Sequence, residues 1–222
     1  MTAPAKTEGP RSKRKVILDA AVSNFGSVGY EHTKWATVAE EVGIGQTALY
    51  HYFESKAHCL LTIMTMELTR YHERFQAAAE GAGDAETELR AVIASAYDIT
   101  ELEALQARIL ANHIDMLATP RTSDREEEER VRAREKVRVI ERAWTDLLAR
   151  GMDSGEFPRR DEKEIGRFVL GLINSVWNWY RPTGGRPLSE IAESVTDACV
   201  RLVHLRRFGL VGRSGWYFVS IS

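Results

Sequence analysis

The chain of 222 residues has little of what marks secreted or membrane proteins. It contains two cysteines, Cys59 and Cys199, which is too few for a disulfide framework and indicates buried thiols in a reducing cytoplasm. The longest apolar stretch, residues 168–180, is interrupted by asparagines and is too short to span a bilayer. Residues 1–10 lack the apolar core of a signal peptide. We therefore expect a cytoplasmic protein without a membrane partner.

Enzyme and metal motifs are also missing. The sequence has no Gly-rich phosphate loop, nucleophile elbow or recognisable carboxylate pair. Gly209, Gly212 and Gly215 have the wrong spacing for a dinucleotide site. His58 and Cys59 are adjacent, so their side chains diverge on a helix, and no further ligands stand at metal spacing. We expect no catalysis, no cofactor and no metal.

What the sequence does contain is helical patterning. Only six prolines are spread along the chain, and no alternating strand pattern occurs before the last residues. An all-α fold is expected. The net charge of −2 does not indicate nucleic-acid binding, but residues 1–15 carry five basic residues and one acidic residue. Such a segment can follow a phosphate backbone, although a solvated, disordered tail has the same composition.

Residues 33–56 carry the most specific pattern. Apolar residues at Trp35, Val38, Ala39 and Val42 follow the i, i+3, i+4, i+7 spacing of one helical face. Gly43 ends this helix, and a two-residue step leads into a second helix over 46–53, in which Leu49 and Phe53 face inward. This layout predicts a helix-turn-helix over 34–53 whose second helix enters the DNA major groove.

Several separately spaced elements resemble the DNA-binding domain of the tetracycline-repressor (TetR) family, over about residues 11–60. They are Gly29-Tyr30-x-x-Thr33, Val38-Ala39, Gly43, Leu49-Tyr50-His51-Tyr52-Phe53 and Ser55-Lys56. The resemblance implies three N-terminal DNA-binding helices followed by a larger helical domain for ligand binding and dimerisation. Lys34 and Gly45 depart from the family pattern, which often has Ser or Thr at the first position and a capping Ser at the second. Operator preference therefore does not transfer from relatives.

The candidate DNA contacts fall into two roles. Gln46 and Thr47 are predicted to read base edges, and Ala48 to touch a thymine methyl group. The predicted phosphate contacts are Thr33, Lys34, Tyr50, His51 and Lys56, while Tyr52 is either a contact or a core residue. Thr33 and Ser55 are also predicted N-caps, Thr33 for the second helix and Ser55 for a fourth helix over 55–79.

The sequence divides into a basic arm (1–10), a DNA-binding domain (11–57), a ligand-binding and dimerisation domain (58–205) and a tail (206–222). The larger domain is predicted to contain helices over 84–100 and 102–117, and another that ends at Arg150. Two further helices over 165–177 and 188–202 follow. The acidic run 124–129 is either a connector or a first helical turn. Residues 216–219 are expected to form either a β-like segment or a docked apolar segment, and the tail has no functional explanation.

A pocket between the central helices is expected to hold a small apolar or amphiphilic effector. Its candidate lining residues are Tyr97, Ile109, His113, Met116, Ile140, Trp144 and Trp177, although aromatic and Met side chains at helical spacing are more often ordinary core residues. The run from Trp177 to Pro182 resembles TetR-family regulators of lipid and steroid catabolism, some of which respond to acyl-CoA thioesters.

The two last helices are predicted to form a four-helix dimer interface, as the resemblance implies. The candidate residues are Phe168, Val169, Leu172, Ile173, Val176, Ile191, Val195 and Leu202, and the alternative is a purely intramolecular core. We expect a homodimer that binds a double-stranded DNA operator and is released when an effector moves the fourth helix. Repression is the behaviour of most of the family. The competing hypothesis is a helical protein–protein interaction module without specific DNA binding.

Overall fold

The computed structural model describes residues 10–181 and 184–205, and all regular structure within these ranges is helical. The predicted all-α fold is confirmed. The elements are α1 (Pro10–Ser27), α2 (Trp35–Glu41), α3 (Gln46–Tyr52), α4 (Lys56–Ala79), α5 (Ala85–Ser95), α6 (Glu101–Asn112), a 3₁₀ turn (Ile114–Leu117), α7 (Asp124–Asp153), α8 (Glu162–Trp179) and α9 (Leu188–His204). Most of the predicted arm and the whole predicted tail, with its β-like segment, lie outside the described residues.

The helices α1 to α3 form a small unit around buried side chains that include Phe25, Val38, Leu49 and Phe53. The long helix α4 leaves this unit and packs along α7, against which α8 also lies. On its other sides α4 contacts α5 and α6, and α9 covers α5 and α8. The helix α6 packs on α1 as well, so the small unit is attached to the larger one through both α4 and α6.

Short polar side chains set several helix starts. Ser55 caps α4 by accepting a hydrogen bond from the amide of His58 at 2.9 Å, as predicted. Thr100 caps α6 in a reciprocal capping box with Glu103. The helix predicted over 84–100 ends earlier than expected, at Ser95, and Thr100 is the N-cap of α6.

One further helix boundary differs from the prediction, and another settles an alternative that the sequence left open. The helix predicted over 102–117 ends at Asn112 and continues as the 3₁₀ turn. The acidic run 124–129 forms the start of α7. Negative carboxylates are stabilised there by the positive end of the helix dipole. In the described ranges, no helix combines the length and apolar character that crossing a membrane requires.

Candidate DNA-binding surface and effector cavity

The turn between α2 and α3 is built around Gly43. This residue has φ of +66°, a conformation in which a Cβ atom is strained. The turn lets the amide of Ile44 donate to the carbonyl of Ala39 at 3.0 Å, which closes the end of α2. Lys13 of α1 donates to the neighbouring carbonyl of Val42 at 2.8 Å. These bonds fix the angle at which α3 leaves α2.

The recognition helix α3 presents the predicted base-reading side chains to solvent. Gln46, Thr47, Tyr50 and His51 are exposed, and Ala48 is half-buried between them. The opposite side of α3 is anchored by Leu49, which is fully buried. Tyr52 is half-buried and packs against the core, so it has both of the environments that the sequence left open. Lys34, at the N-cap of α2, is also exposed.

Thr33 does not have either predicted role. Its side chain is only 5% exposed, and its hydroxyl donates to the carbonyl of Gly29 at 2.8 Å. Lys34 occupies the N-cap position of α2 instead. The hydroxyl proton is already used within the protein, so Thr33 cannot donate it to a phosphate. Its function is to close the loop between α1 and α2.

Lys56 also differs from the prediction. Its ammonium group donates to the carbonyls of Tyr30 at 2.6 Å, Thr33 at 3.1 Å and Glu31 at 3.3 Å, and lies 4.4 Å from the centre of the Tyr30 ring. An ammonium group has three N–H donors, and all three are occupied here. In this arrangement Lys56 ties the start of α4 to the α1–α2 loop and has no donor left for a phosphate.

A second set of contacts joins the end of α3 to the start of α7. The Ser55 hydroxyl donates to Glu126 at 2.5 Å, and the Ser123 hydroxyl donates to Glu54. The Nδ1 atom of His58 accepts from the Glu54 amide at 3.4 Å. Burial, helped by the nearby Arg125, lowers the pKa of His58, which keeps its ring neutral for that bond.

The helix α6 contacts the small unit through different residues. Arg108 donates to the carbonyl of Gly26, and the Leu105 side chain packs so closely on Gly26 that a Cβ atom there would lie 2.8 Å from it. The ring of His113, just after α6, lies edge-on to Tyr30 with centroids 5.3 Å apart. Burial lowers the pKa of His113, as in a core histidine. The helix α6 and the residue that follows it are therefore in direct contact with α1 and with the loop after α1.

A cavity of about 480 Å³ lies between α4, α6, α7 and α8. Its apolar lining consists of Leu68, Ala107, Leu110, Ala111, Ile114, Val137, Ile140, Leu170, Gly171 and Trp177. Its polar lining consists of Glu67, Tyr71, Glu141, Arg167, Asn174, Ser175 and Asn178. Most of these polar residues are exposed and mark the mouth, whereas Glu67 is buried. This composition suits an apolar ligand with a polar end.

Of the seven predicted lining residues, only Ile140 and Trp177 line this cavity. The Tyr97 hydroxyl is buried and donates to the carbonyl of Ile173 at 2.9 Å, so it is a core residue. Trp144 lies one layer behind the wall, where its indole donates to the Tyr71 hydroxyl at 3.1 Å. The remaining three, Ile109, His113 and Met116, pack elsewhere. Glu67 and Tyr71 were missed, although their i, i+4 spacing on the buried side of α4 was a usable signal.

The predicted dimer residues divide between two environments. Val169, Ile173, Val176 and Ile191 are at most 3% exposed, so this part of the prediction is wrong: they fill the core of the chain itself. Phe168 and Leu172 of α8 are 49% and 38% exposed, and Trp179 on the same side is 55% exposed. Val195 and Leu202 of α9 are half-buried. A partner could cover only these exposed and half-buried residues.

The fold and the exposed α3 define a helix-turn-helix DNA-binding protein. The sequence pattern described as "Bacterial regulatory proteins, tetR family" matches residues 17–63, and "Tetracyclin repressor-like, C-terminal domain" matches residues 82–203. The second match alone spans more than half of the chain. The chain therefore belongs to the TetR family and is a DNA-binding transcriptional regulator.

Similar proteins agree with this membership. The HTH-type transcriptional repressor KstR2 of Mycolicibacterium smegmatis is 27% identical over 202 residues, which cover 90% of this chain and 93% of the relative. The ketosteroid transcriptional regulator KstR2 of Mycobacterium tuberculosis has the same fold, with a TM-score of 0.73 and 20% identity over 89% of this chain and 98% of that one. AibR, whose structure contains isovaleryl coenzyme A and operator DNA, superposes with a TM-score of 0.71 at 17% identity over 84% and 97% of the two chains.

Proposed function

We propose that this protein is a homodimeric repressor that leaves its operator when a small, largely apolar effector occupies the cavity between α4, α6, α7 and α8. The observation that carries the proposal is the position of α6. One side of this helix supplies Ala107, Leu110 and Ala111 to the cavity. Its other side holds α1 through Arg108 and Leu105. A ligand that displaces α6 therefore acts directly on the DNA-binding unit.

The helix α4 provides a second route between the two sites. It lines the cavity with Glu67, Leu68 and Tyr71 and begins directly after the recognition helix, at Lys56. Its first turn is tied to α7 by the bond from Ser55 to Glu126. A shift of α4 changes the position of α3 and hence the separation of the two reading heads in a dimer. The effector drives this change only if it binds the DNA-free arrangement more tightly.

The base-reading residues are Gln46, Thr47 and Ala48, because they lie at the accessible start of α3. Lys34, Tyr50 and His51 are exposed beside them and have the donor groups for phosphate contacts. Tyr52 follows on the same helix but is only half-exposed. A dimer presents two such surfaces to successive major grooves of a near-palindromic site.

The dimer is proposed to form through the exposed side of α8, together with α9. Phe168, Leu172 and Trp179 form an apolar stripe that residues 10–181 and 184–205 leave exposed. Val195 and Leu202 lie half-buried on the neighbouring helix. Four helices, two from each protomer, would bury this surface around a two-fold axis.

The effector class follows from the lining of the cavity. The inner wall is mainly aliphatic, and the mouth carries Arg167, Asn174 and Asn178. An amphiphile can bury its apolar part and leave a polar or anionic group at this mouth. An acyl-CoA thioester is a candidate of this kind, and AibR, which has a similar fold, is known in complex with isovaleryl coenzyme A and operator DNA.

A fluorescence-anisotropy titration tests the DNA-binding part of the proposal. The labelled probe is the promoter DNA beside the protein's own gene, the control is a shuffled duplex of equal length, and both are measured at two salt concentrations. We expect binding of the promoter at least about a thousandfold tighter than that of the shuffled duplex, with affinity falling as salt rises. Equal binding of the two duplexes would favour the alternative function as a protein-interaction module.

A further inference from the structure

The start of α7 has the sequence of a helix capping box but uses it differently. Ser123 and Glu126 have the S-x-x-E spacing in which the serine side chain accepts from the glutamate amide and the glutamate side chain accepts from the serine amide. The backbone of Ser123 has the extended conformation of an N-cap, with φ of −86° and ψ of 135°. Within the described chain, however, its side chain makes no capping hydrogen bond.

The same motif at the start of α6 does form its box. The Thr100 hydroxyl accepts from the amide of Glu103 at 3.3 Å, and the Glu103 side chain accepts from the amide of Thr100 at 2.8 Å. The spacing of the motif is identical in the two helices, so it does not account for the difference. What distinguishes α7 is that residues 54 and 55 of the DNA-binding unit contact its first turn.

These contacts form a reciprocal pair of hydrogen bonds, which we call the Ser–Glu clasp. The Ser123 hydroxyl donates to Glu54, and the Ser55 hydroxyl donates to Glu126 at 2.5 Å. Each side of the clasp supplies one serine donor and one glutamate acceptor. Hydrogen bonds to an ionised acceptor are stronger than those between neutral groups. All four residues are half-buried, so water competes with these bonds less than at an open surface.

We propose that the clasp positions the recognition helix for its operator, and that Ser123 is a positioning residue rather than the cap of α7. The helix α3 has seven residues, and Leu49 is its one buried side chain. Glu54 and Ser55 follow the end of α3 within three residues. The clasp therefore holds that end against α7, a helix of 30 residues.

A fixed recognition helix matters for reading bases more than for binding phosphates. Bidentate contacts to base edges require side chains at defined positions, whereas the attraction to phosphates is independent of sequence. An unclasped α3 has to be ordered on the operator, which reduces the affinity for that sequence. The inference rests on α3 as the recognition helix of the proposed function and does not depend on the effector cavity.

The test replaces Ser123 with asparagine and with aspartate, two side chains of the same shape that both cap helices well. Asparagine has an NH₂ donor for Glu54, whereas an ionised aspartate has none and is repelled by that carboxylate. Each full-length protein is titrated with a duplex that the wild type selects from a random pool and with a shuffled duplex of equal length. The readout is the ratio of the two affinities.

We expect Ser123→Asp to reduce this ratio at least about fivefold, because it loses a hydrogen bond to a charged group. Ser123→Asn should stay within about twofold of the wild-type ratio, since its donor replaces the hydroxyl. If Ser123 were only a cap, both variants would keep the ratio of the wild type. Thr122→Asp controls for charge: it adds the same negative charge at an exposed neighbouring position and should weaken both duplexes equally.

Ser123→Ala lacks both the donor and the charge, so it should also reduce the ratio, and it replaces the aspartate variant if that protein does not fold. A wild-type or higher ratio in folded Ser123→Asp or Ser123→Ala overturns the clasp as a positioning device, and so does an equal loss in Ser123→Asn. A wild-type protein that enriches no sequence from the pool overturns base reading by α3 and the clasp together.

Discussion

Replacing Lys56 with Met separates two roles that this residue can have at the DNA-binding surface. The substitution keeps the length of the side chain and removes the ammonium group. It deletes the bonds to the carbonyls of Tyr30 and Thr33, at 2.6 and 3.1 Å, and the cation–π interaction with the Tyr30 ring. The loop between α1 and α2 is then no longer attached to α4.

The expected decrease in stability can be estimated from these interactions. Hydrogen bonds to a charged group contribute about 1.5–3 kcal/mol, and a cation–π interaction at a partly exposed site about 0.5–1 kcal/mol. Partial exposure and water replacement reduce the total, so we expect a decrease of about 2 kcal/mol in the free energy of unfolding. For a chain of this size that corresponds to a fall in Tm of about 4–8 °C.

The assay combines thermal unfolding with operator titrations over a range of salt concentrations. Lys56→Met should unfold at a lower temperature and bind the operator more weakly, while the slope of log K against log salt stays unchanged. Lys34→Met is the matched control, because this lysine is exposed at the N-cap of α2. It should leave Tm unchanged and reduce the slope by about 0.9 for each phosphate of B-DNA that the lysine neutralises in the wild type. A Lys56→Met protein with the wild-type Tm and a reduced slope would show that Lys56 contacts phosphate and does not hold the α1–α2 loop to α4.

Three further predictions concern base reading, acid stability and assembly. Gln46→Ala should relax discrimination at one base pair by about 1–3 kcal/mol, measured by competition with single-base operator variants, and uniform weakening against all variants would contradict base reading. The lowered pKa of His58 means that its contribution to stability is complete above the unfolded value of about 6.5 and is lost as the pH falls below it. Urea unfolding at pH 7.5 and 5.5 should therefore show a smaller acid-induced decrease in stability in His58→Gln than in the wild type, and an equal decrease would contradict the assignment. Phe168→Glu should give monomers in sedimentation velocity. The control Val131→Glu, at an equally exposed apolar site on α7, should remain dimeric. A dimeric Phe168→Glu protein would place the interface elsewhere.

The helix-turn-helix was predictable because its information is local. The spacing from Trp35 to Val42 defines a buried face, and Gly43 supplies the one backbone conformation that ends α2 at the required angle. The Ser55 cap depends on an amide three residues away and was predictable for the same reason. The all-helical larger domain follows from the same periodicity.

The misplaced residues depend on partners that are distant in sequence. The ammonium of Lys56 is engaged by carbonyls 23 to 26 residues earlier in the chain, and no local pattern indicates this. The cavity was largely missed because a buried helical position looks the same in sequence whether it faces a packed core or a void. Tyr97 and Trp144 are buried, but they do not line the cavity as predicted. On α8, periodicity could not separate the buried side of Val169 from the exposed stripe of Phe168.

The proposed coupling, in which filling the cavity opposes operator binding, can be tested without knowing the effector. Ala111 lines the cavity on α6, and Ala111→Trp places an indole inside a space of about 480 Å³. Ala94→Trp adds the same group at an exposed position on α5 and is the control. We predict that Ala111→Trp weakens operator binding at least about fivefold, the lower end of ordinary coupling between sites, while Ala94→Trp binds as the wild type does. A folded Ala111→Trp protein that binds the operator with wild-type affinity would show that the cavity is not coupled to operator binding.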